Sequence, residues 1–145
     1  MKIFLDTSSL FKLYHKEEHS NKIEEIFSKV KITNVYLSEI TKVEFASSIW
    51  KKVRTKEISK EDALITMELF EIDSSKFTFV AIDSVVIEQA KNLISKYGIR
   101  GLRTLDAIQL SCSKILSKEV ALFITSDNLL QTFLNEEGLP TELKA

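Results

Sequence analysis

The sequence predicts an α/β domain whose mostly parallel central sheet is covered by helices on both faces. Four short apolar segments alternate along the chain with longer segments whose apolar residues recur every three or four positions. Strands that alternate with helices favour parallel pairing, and parallel sheets are normally covered on both faces. The 145 residues contain no linker, repeat or low-complexity segment, so we expect one domain over residues 1–145.

Two strands and four helices are predicted in the first half of the chain. KIFLD at 2–6 is the first strand, and the helical patterns SSLFKLYHK and SNKIEEIFSKV follow it. VYLS at 35–38 is the second strand, and it leads into a helix over 39–54. Ser59 and Asp62 resemble a capping box, which predicts a helix that begins there and runs to about residue 72.

Two strands and three helices are predicted in the second half. They are, in order, the strand FTFVAI at 77–82, a helix over 84–97, a helix in TLDAIQLSCSKIL, the strand ALFIT at 121–125 and the helix in DNLLQTFLNEE. Gly98 ends the first of these helices, and Gly138 with Pro140 closes the last. Thr104 is the predicted N-cap of the middle helix. The predicted apolar face of that helix comprises Leu105, Ile108, Gln109, Cys112, Ile115 and Leu116.

The cysteine content and the hydropathy of the chain exclude several classes of protein. The single cysteine, Cys112, cannot form an internal disulfide, and no C-x-x-C or Cys/His cluster indicates a zinc site. No signal-peptide pattern opens the sequence, and no apolar run approaches the roughly 18 residues needed to span a bilayer. We therefore predict a soluble, cytoplasmic protein with no membrane partner.

Charge is distributed unevenly along the chain. The net charge of -1 argues against a general polyanion binder. Residues 31–60 nevertheless carry seven Lys or Arg against three acids, and residues 91–120 carry six against two, whereas residues 61–90 carry one against seven. The two basic segments could form a local surface for a polyanion, or they could be solvated helix faces.

Two acids are predicted to lie at one edge of the sheet. Asp6 ends the first strand, and Asp127 stands two residues past the fourth. The carboxyl ends of parallel strands meet at one edge, where ligands bind in such folds, so the two carboxylates should lie close together. Glu44, on the border of the apolar stripe of its helix, and Asp106, in the first turn of its helix, are placed to join them.

These four acids allow a functional and a structural interpretation. Four carboxylates in one place would raise one another's pKa unless a cation neutralised them, and oxygen ligands of this kind suit Mg²⁺ or Mn²⁺. In the structural interpretation, Asp6, Asp106 and Asp127 cap the N–H groups of helix starts. Glu44 would then be a boundary residue that accepts a hydrogen bond from Ser48, one turn further on.

Four motifs carry a resemblance to a known family. IFLDTSSLFKL, SEITKVEFASSIW, LRTLDAIQLS and FITSDNLL, in this order and at these separations, resemble the PIN domain family, especially its VapC-like toxins of type II toxin–antitoxin systems. The resemblance implies a three-layer α/β/α fold and a metal-dependent endoribonuclease that hydrolyses RNA with water activated by Mg²⁺ or Mn²⁺. It also implies that Asp6, Glu44, Asp106 and Asp127 are the catalytic, metal-binding residues. Thr7, Ser8 and Thr125 match hydroxyl positions that support those acids.

The resemblance and the sequence together predict several partners. We expect an RNA substrate, a small antitoxin protein and a symmetric homodimer. Arg100 and Arg103 precede Asp106 and could hold substrate phosphates as planar forks, or they could belong to a flexible basic loop. The helix over 59–72 either packs into the core or offers apolar area to a partner. Its apolar residues include Ala63, Leu64, Met67, Leu69 and Phe70.

Two alternative functions follow from other features of the sequence. HKEEH at 15–19 fits the H-x-x-E-H motif of zinc peptidases, but that motif needs a third ligand and a much larger scaffold. A noncatalytic PIN-like module that binds RNA or protein is the stronger alternative. Because such a module would be expected to lose one or more of the acids, the presence of all four favours the enzyme.

Overall fold

The central sheet has four parallel strands. The computed structural model describes residues 1–16 and 20–143 of the chain. In sequence order the strands are β1 (Lys2–Leu5), β2 (Asn34–Ser38), β3 (Phe77–Val80) and β4 (Leu122–Ile124). Their spatial order is β3-β2-β1-β4, and every neighbouring pair is parallel. The predicted strands and their parallel pairing are therefore confirmed.

Helices connect these strands and lie on both sides of the sheet. In sequence order they are α1 (Thr7–Tyr14), α2 (Ser20–Lys29), α3 (Thr41–Arg54), α4 (Lys60–Asp73), α5 (Ser84–Tyr97), α6 (Thr104–Ile115) and α7 (Asn128–Glu136). Short 3-10 turns follow α4 and α5. Within residues 1–16 and 20–143, none of the helices has the length and apolar character that crossing a membrane requires.

The side chains of each strand alternate between two hydrophobic cores. Ile3 and Leu5 of β1 face one core, which contains buried residues of α1 to α4, such as Phe45. Phe4 of β1 and Phe123 of β4 face the other core, which contains buried residues of α5 to α7. This alternation is the two-residue period of a strand that is covered on both faces. The result is the predicted three-layer α/β/α fold.

The strand order creates a crevice at one edge of the sheet. From β1 the chain builds outward through β2 and β3, and it then returns to place β4 on the other side of β1. Ligands of open α/β sheets bind at such a reversal, outside the carboxyl ends of the strands. Leu5 and Ile124 pair in register, and the Asp6 amide donates to the Ile124 carbonyl at 3.2 Å. Asp6 is therefore fixed at the mouth of this crevice.

The structure confirms one predicted helix cap and corrects two details of the predicted boundaries. Ser59 caps α4, since its hydroxyl accepts from the Asp62 amide at 3.1 Å. Gly98 ends α5, but it stays in the right-handed region, and the left-handed residue is Gly101, with φ 107°. Thr104 is the first residue of α6 rather than its N-cap, and Arg103 takes the cap position without a side-chain hydrogen bond.

The predicted apolar face of α6 is partly wrong. Leu105 and Ile115 are 47% and 44% exposed, whereas Leu110 is fully buried. Ser111 is also buried, and its hydroxyl donates to the Val86 carbonyl of α5 at 2.8 Å. This bond satisfies the buried hydroxyl and lets α5 approach closely. The packed face of α6 therefore includes small polar residues that a hydropathy pattern does not mark.

Two alanine substitutions test this orientation of α6. We expect Leu110→Ala to lower the free energy of unfolding by about 2–5 kcal/mol, because it removes a fully buried side chain. Ile115→Ala, in the same helix, should cost only about 1 kcal/mol, because Ile115 is 44% exposed. Urea unfolding at neutral pH measures both values. Equal losses would contradict the orientation.

Candidate active site

Asp6 connects the end of β1 to the start of α1. Its carboxylate accepts from the Ser9 amide at 2.9 Å, from the Thr125 hydroxyl at 2.6 Å, and from the Ser8 hydroxyl at 2.8 and 2.9 Å. Burial raises the pKa of Asp6, and the hydrogen bonds from Thr125, Ser9 and Ser8 oppose that rise. Three donors share roughly four acceptor positions of an ionised carboxylate. Asp6 therefore caps α1 and keeps acceptor capacity for a further ligand.

Asp127 has the equivalent position after β4. Its Oδ1 accepts from the Leu130 amide at 2.8 Å and caps α7. Its own amide donates to the Thr125 hydroxyl at 3.0 Å, and that hydroxyl donates to Asp6. Thr125 thereby ties the backbone at Asp127 to the carboxylate of Asp6. The capping interpretation is correct for both acids, and both also lie at the common edge of the sheet.

Glu44 lies in the first turn of α3 and faces α1. Its Oε1 accepts from the Thr7 hydroxyl at 2.8 Å and from Gln109 Nε2 at 2.9 Å. Thr7 has only one hydroxyl proton, and it donates that proton to Glu44. Thr41 is therefore the donor in the 3.0 Å contact between the two threonine hydroxyls. The hydrogen bonds to Glu44 come from Thr7 and Gln109, not from Ser48 as the structural interpretation predicted.

Gln109 is the site residue that sequence reasoning missed. It is only 3% exposed, and its Nε2 lies 2.9 Å from Glu44, 3.1 Å from Thr7 and 3.2 Å from Thr41. It connects α6, on one face of the sheet, to α1 and α3, on the other. The sequence placed Gln109 on a buried face of α6, and a buried amide among apolar residues signals a polar partner. The identity of that partner could not be read from spacing.

Asp106 shows that the four acids share one electrostatic environment. It lies half-buried in the first turn of α6. Burial and the negative charges of Asp127, Asp6 and Glu44 raise the pKa of Asp106 to about 6, while Arg103 opposes the rise. Each of the other three acids therefore acts on Asp106. The crevice concentrates negative charge that its own donors do not neutralise.

The acids fit a divalent ion by the chemistry of their oxygens. Over residues 1–16 and 20–143, no three His, Cys, Asp or Glu side chains form a group that could by itself hold a metal ion. Mg²⁺ does not require such a cage, because it usually keeps several waters and binds one or two carboxylates together with substrate phosphates. The four acids offer only oxygen ligands, and the pKa of Asp106 among them is raised. Both features match that mode of binding.

The two candidate arginines have different environments. Arg100 forms a bidentate pair with Glu136 at 2.7 and 2.8 Å, and its guanidinium lies over the ring of Phe133 at 5.2 Å. Glu136 is at the opposite end of α7 from Asp127, roughly 13 Å along the helix. Arg103 is exposed, and its charge lowers the pKa of Asp106. The structure therefore places Arg103, but not Arg100, beside the acids.

The H-x-x-E-H motif lies partly outside the described residues. Its second histidine, His19, lies outside the described residues. His15 follows α1, and its ring lies tilted against that of Phe11, with ring centroids 5.7 Å apart.

Comparison with known proteins identifies the family. A family model described as the PIN domain matches residues 3–132. This chain belongs to the PIN domain family. The family and the fold predicted from the four motifs are thus confirmed. None of the curated protein sequences is similar enough to the chain to count as a match.

Solved structures of toxins and of toxin–antitoxin complexes share the fold of this chain. A toxin–antitoxin complex from Klebsiella pneumoniae is 17% identical, covers 99% of each chain and has a TM-score of 0.67. VapC20 of Mycobacterium tuberculosis, a toxin that cleaves the sarcin-ricin loop, is 15% identical with a TM-score of 0.69, over 90% of this chain and 94% of that chain. VapBC2 of Rickettsia felis, bound to promoter DNA, is 17% identical over 100% of each chain with a TM-score of 0.63.

The raised pKa of Asp106 predicts how the metal-free protein responds to pH. Between about pH 4 and 6 the folded state binds more protons at Asp106 than the unfolded state does. The free energy of unfolding should therefore fall as the pH rises through this interval. Asp106→Asn should make the fall smaller, since it removes the titrating group. Urea unfolding with a chelator at pH 4.5 and 7 measures the change, and an unaltered pH dependence would contradict it.

A charge placed at Gln109 tests the contact with Glu44. Gln109→Glu puts a second carboxylate against Glu44, so we expect a loss of about 3 kcal/mol or more in the free energy of unfolding at pH 7. Acidification should recover part of that loss. Gln109→Leu, which removes the donor without adding charge, should cost about 1–3 kcal/mol with little dependence on pH. Identical behaviour of the two variants would show that the residue at 109 does not face Glu44.

Proposed function

We propose that the chain is a metal-dependent endoribonuclease and the toxin of a toxin–antitoxin pair. The observation that carries the proposal is the convergence of Asp6, Glu44 and Asp127 on the electrostatic environment of Asp106. Independent helix caps have no reason to share one crevice at the reversal of strand order. Membership of the PIN domain family and the fold shared with RNA-cleaving and antitoxin-bound toxins support the same conclusion.

In the proposed reaction, the acids of the crevice bind the metal ion and the neighbouring hydroxyl groups position those acids. Asp6 and Asp106 would be the main ligands of Mg²⁺ or Mn²⁺, and Glu44 and Asp127 would complete the negative charge around it. The ion would supply Lewis acidity, which makes water more acidic and polarises the phosphodiester. Ser8 and Thr125 hold the carboxylate of Asp6 in place.

Other residues orient Glu44 and the substrate. Thr7 and Gln109 fix the Glu44 carboxylate toward the crevice. Arg103, exposed beside Asp106, contacts a substrate phosphate through its planar fork. Arg100 is not included, because Glu136 occupies its guanidinium.

A protein partner is the second element of the proposal. The similar structures from Klebsiella pneumoniae and Rickettsia felis are complexes of toxins with antitoxins. On α4, Ala63 and Phe70 are buried, whereas other apolar side chains are exposed. The exposed ones are Leu64, Ile65, Leu69 and Ile72, which are 49–60% exposed. This apolar area suits contact with an antitoxin or with a second copy of the chain.

The alternative is a noncatalytic module that binds RNA or protein. It would not need four acids with a shared electrostatic environment, and its stability would not respond to metal. A binding ion would stabilise the folded protein by RT ln(1 + [L]/Kd). A Mn²⁺-dependent rise in melting temperature, lost in Asp106→Asn, therefore favours the enzyme.

Cleavage of RNA tests the enzyme directly. We expect the purified wild type to cleave mixed cellular RNA in the presence of Mn²⁺ and to stop when a chelator is added. Asp6→Asn and Asp106→Asn should each reduce the rate by about 100-fold or more, because each removes a charged ligand. Gel analysis of the RNA over time measures the rates.

Asp62→Asn is the matched control, since Asp62 is an exposed acid on α4, outside the crevice. It should cleave RNA at the rate of the wild type. Cleavage that persists undiminished in both crevice variants would point to a contaminating nuclease and would contradict the proposal.

A further inference from the structure

A groove between α1 and α3 opens directly from the acidic crevice. It encloses about 700 Å³, and Thr7, Ser8 and Glu44 line one end of it. The same three residues belong to the site described above. Lys51, Lys52, Thr55 and Glu57 line the other end. The groove and the acidic crevice are therefore continuous, and one ligand can occupy both.

One face of α3 forms a continuous polar wall of the groove. Glu44, Ser48, Lys51 and Thr55 follow one another at steps of three or four residues, so their side chains lie on one face of the helix. Lys51 lies seven residues after Glu44, roughly 10 Å along the helix axis. That length matches about three nucleotides of a stacked strand, at about 3.4 Å each. A phosphate near Lys51 would thus belong to a flanking nucleotide.

The far end of the groove is already built to hold an anionic oxygen. Oε2 of Glu57 accepts from the Lys52 ammonium at 3.4 Å and from the Thr55 hydroxyl at 2.9 Å. The Thr55 hydroxyl, followed by Lys52, lowers the pKa of Glu57. Lys51 is exposed and forms no ion pair with any residue in the described ranges. The Lys51 ammonium group therefore remains accessible to a phosphate at this end of the groove.

The floor of the groove indicates what kind of contact it makes. Phe11 lines it but is only 4% exposed, so it offers no free ring face on which a base could stack. Besides the carboxylates of Glu44 and Glu57, the groove is lined by the Ser48 and Thr55 hydroxyls and the Lys51 ammonium group, which bind phosphate oxygens. Such contacts position a nucleic acid and carry no sequence information directly.

We propose that the groove between α1 and α3 binds the phosphate backbone of the single-stranded RNA that flanks the cleaved bond, with Lys51 as its principal contact. This inference depends on the proposed nuclease function and extends it to the path of the substrate. The acidic crevice repels phosphates unless a cation is present, so the exposed ammonium group of Lys51 supplies attraction that the crevice lacks. Glu57 competes with the RNA for the Thr55 hydroxyl and adds a repelling charge.

Binding of a labelled oligonucleotide tests the proposal. The full chain carrying Asp106→Asn, which prevents cleavage, is titrated into a fluorescent 12-nucleotide oligouridylate over a series of salt concentrations. Lys51→Gln should weaken binding and reduce the slope of log K against log salt by about 0.7, the value for one phosphate contact on a single strand. Glu57→Gln should tighten binding. Lys51→Arg, which keeps the charge, should restore both the affinity and the slope.

Arg54→Gln is the matched control, because Arg54 is an exposed cation of α3 that does not line the groove. Its salt slope should equal that of the parent protein. Equal effects of Lys51→Gln and Arg54→Gln would overturn the groove while leaving the nuclease proposal intact, provided the wild type cleaves RNA. Failure of the wild type to cleave RNA would instead overturn the proposed function itself. If Lys51→Gln weakens the binding of a polyglutamate peptide but leaves RNA binding unchanged, the groove binds a protein, and the inference is overturned.

Discussion

The site depends on mutual repulsion among carboxylates that the backbone forces together. Asp6 and Asp127 are fixed because each follows a strand at the crevice and caps the next helix. Glu44 and Asp106 arrive from α3 and α6, which lie on opposite faces of the sheet. Burial and three neighbouring charges raise the pKa of Asp106 to about 6. A cation bound at this edge of the sheet would therefore relieve the repulsion that the fold imposes on these carboxylates.

The donors around these acids orient them without neutralising them. Thr125 and Ser8 hold Asp6, and Thr7 and Gln109 hold Glu44, all through uncharged groups. Because no cation among these donors cancels the charge, the carboxylates stay available to a metal ion.

Glu137 provides an internal contrast. Its side chain is 5% exposed and lies 2.7 Å from each of two ammonium groups, those of Lys96 and Lys114. Burial raises the pKa of Glu137, but the hydrogen bonds from Lys114, Lys96 and Tyr97 outweigh it, and the pKa falls to about 2. Ammonium groups thus neutralise Glu137, whereas the hydrogen bonds described above for Asp6 and Glu44 come from uncharged groups.

Most of the fold could be predicted from local sequence patterns. The features that these patterns did not predict depend on contacts between distant segments of the chain. The strands and α5 were predicted closely, because alternation and helical period depend only on neighbouring residues. The packed face of α6 was mispredicted, since Ser111 is buried through a bond to Val86, which no hydropathy pattern marks. The sequence leaves Arg100 open between a phosphate contact and a basic loop, because its partner Glu136 lies 36 residues away. The role of Gln109 was missed for the same reason, as its partners belong to α1 and α3.

Proton release on metal binding tests the central claim most directly. At pH 6 Asp106 is about half protonated in the metal-free protein, so binding of Mn²⁺ must displace that proton. Calorimetric titration in two buffers of different ionisation enthalpy should show release of about half a proton per ion at pH 6 and almost none at pH 8. Mn²⁺ binding without proton release at pH 6, or no binding at all, would contradict the account.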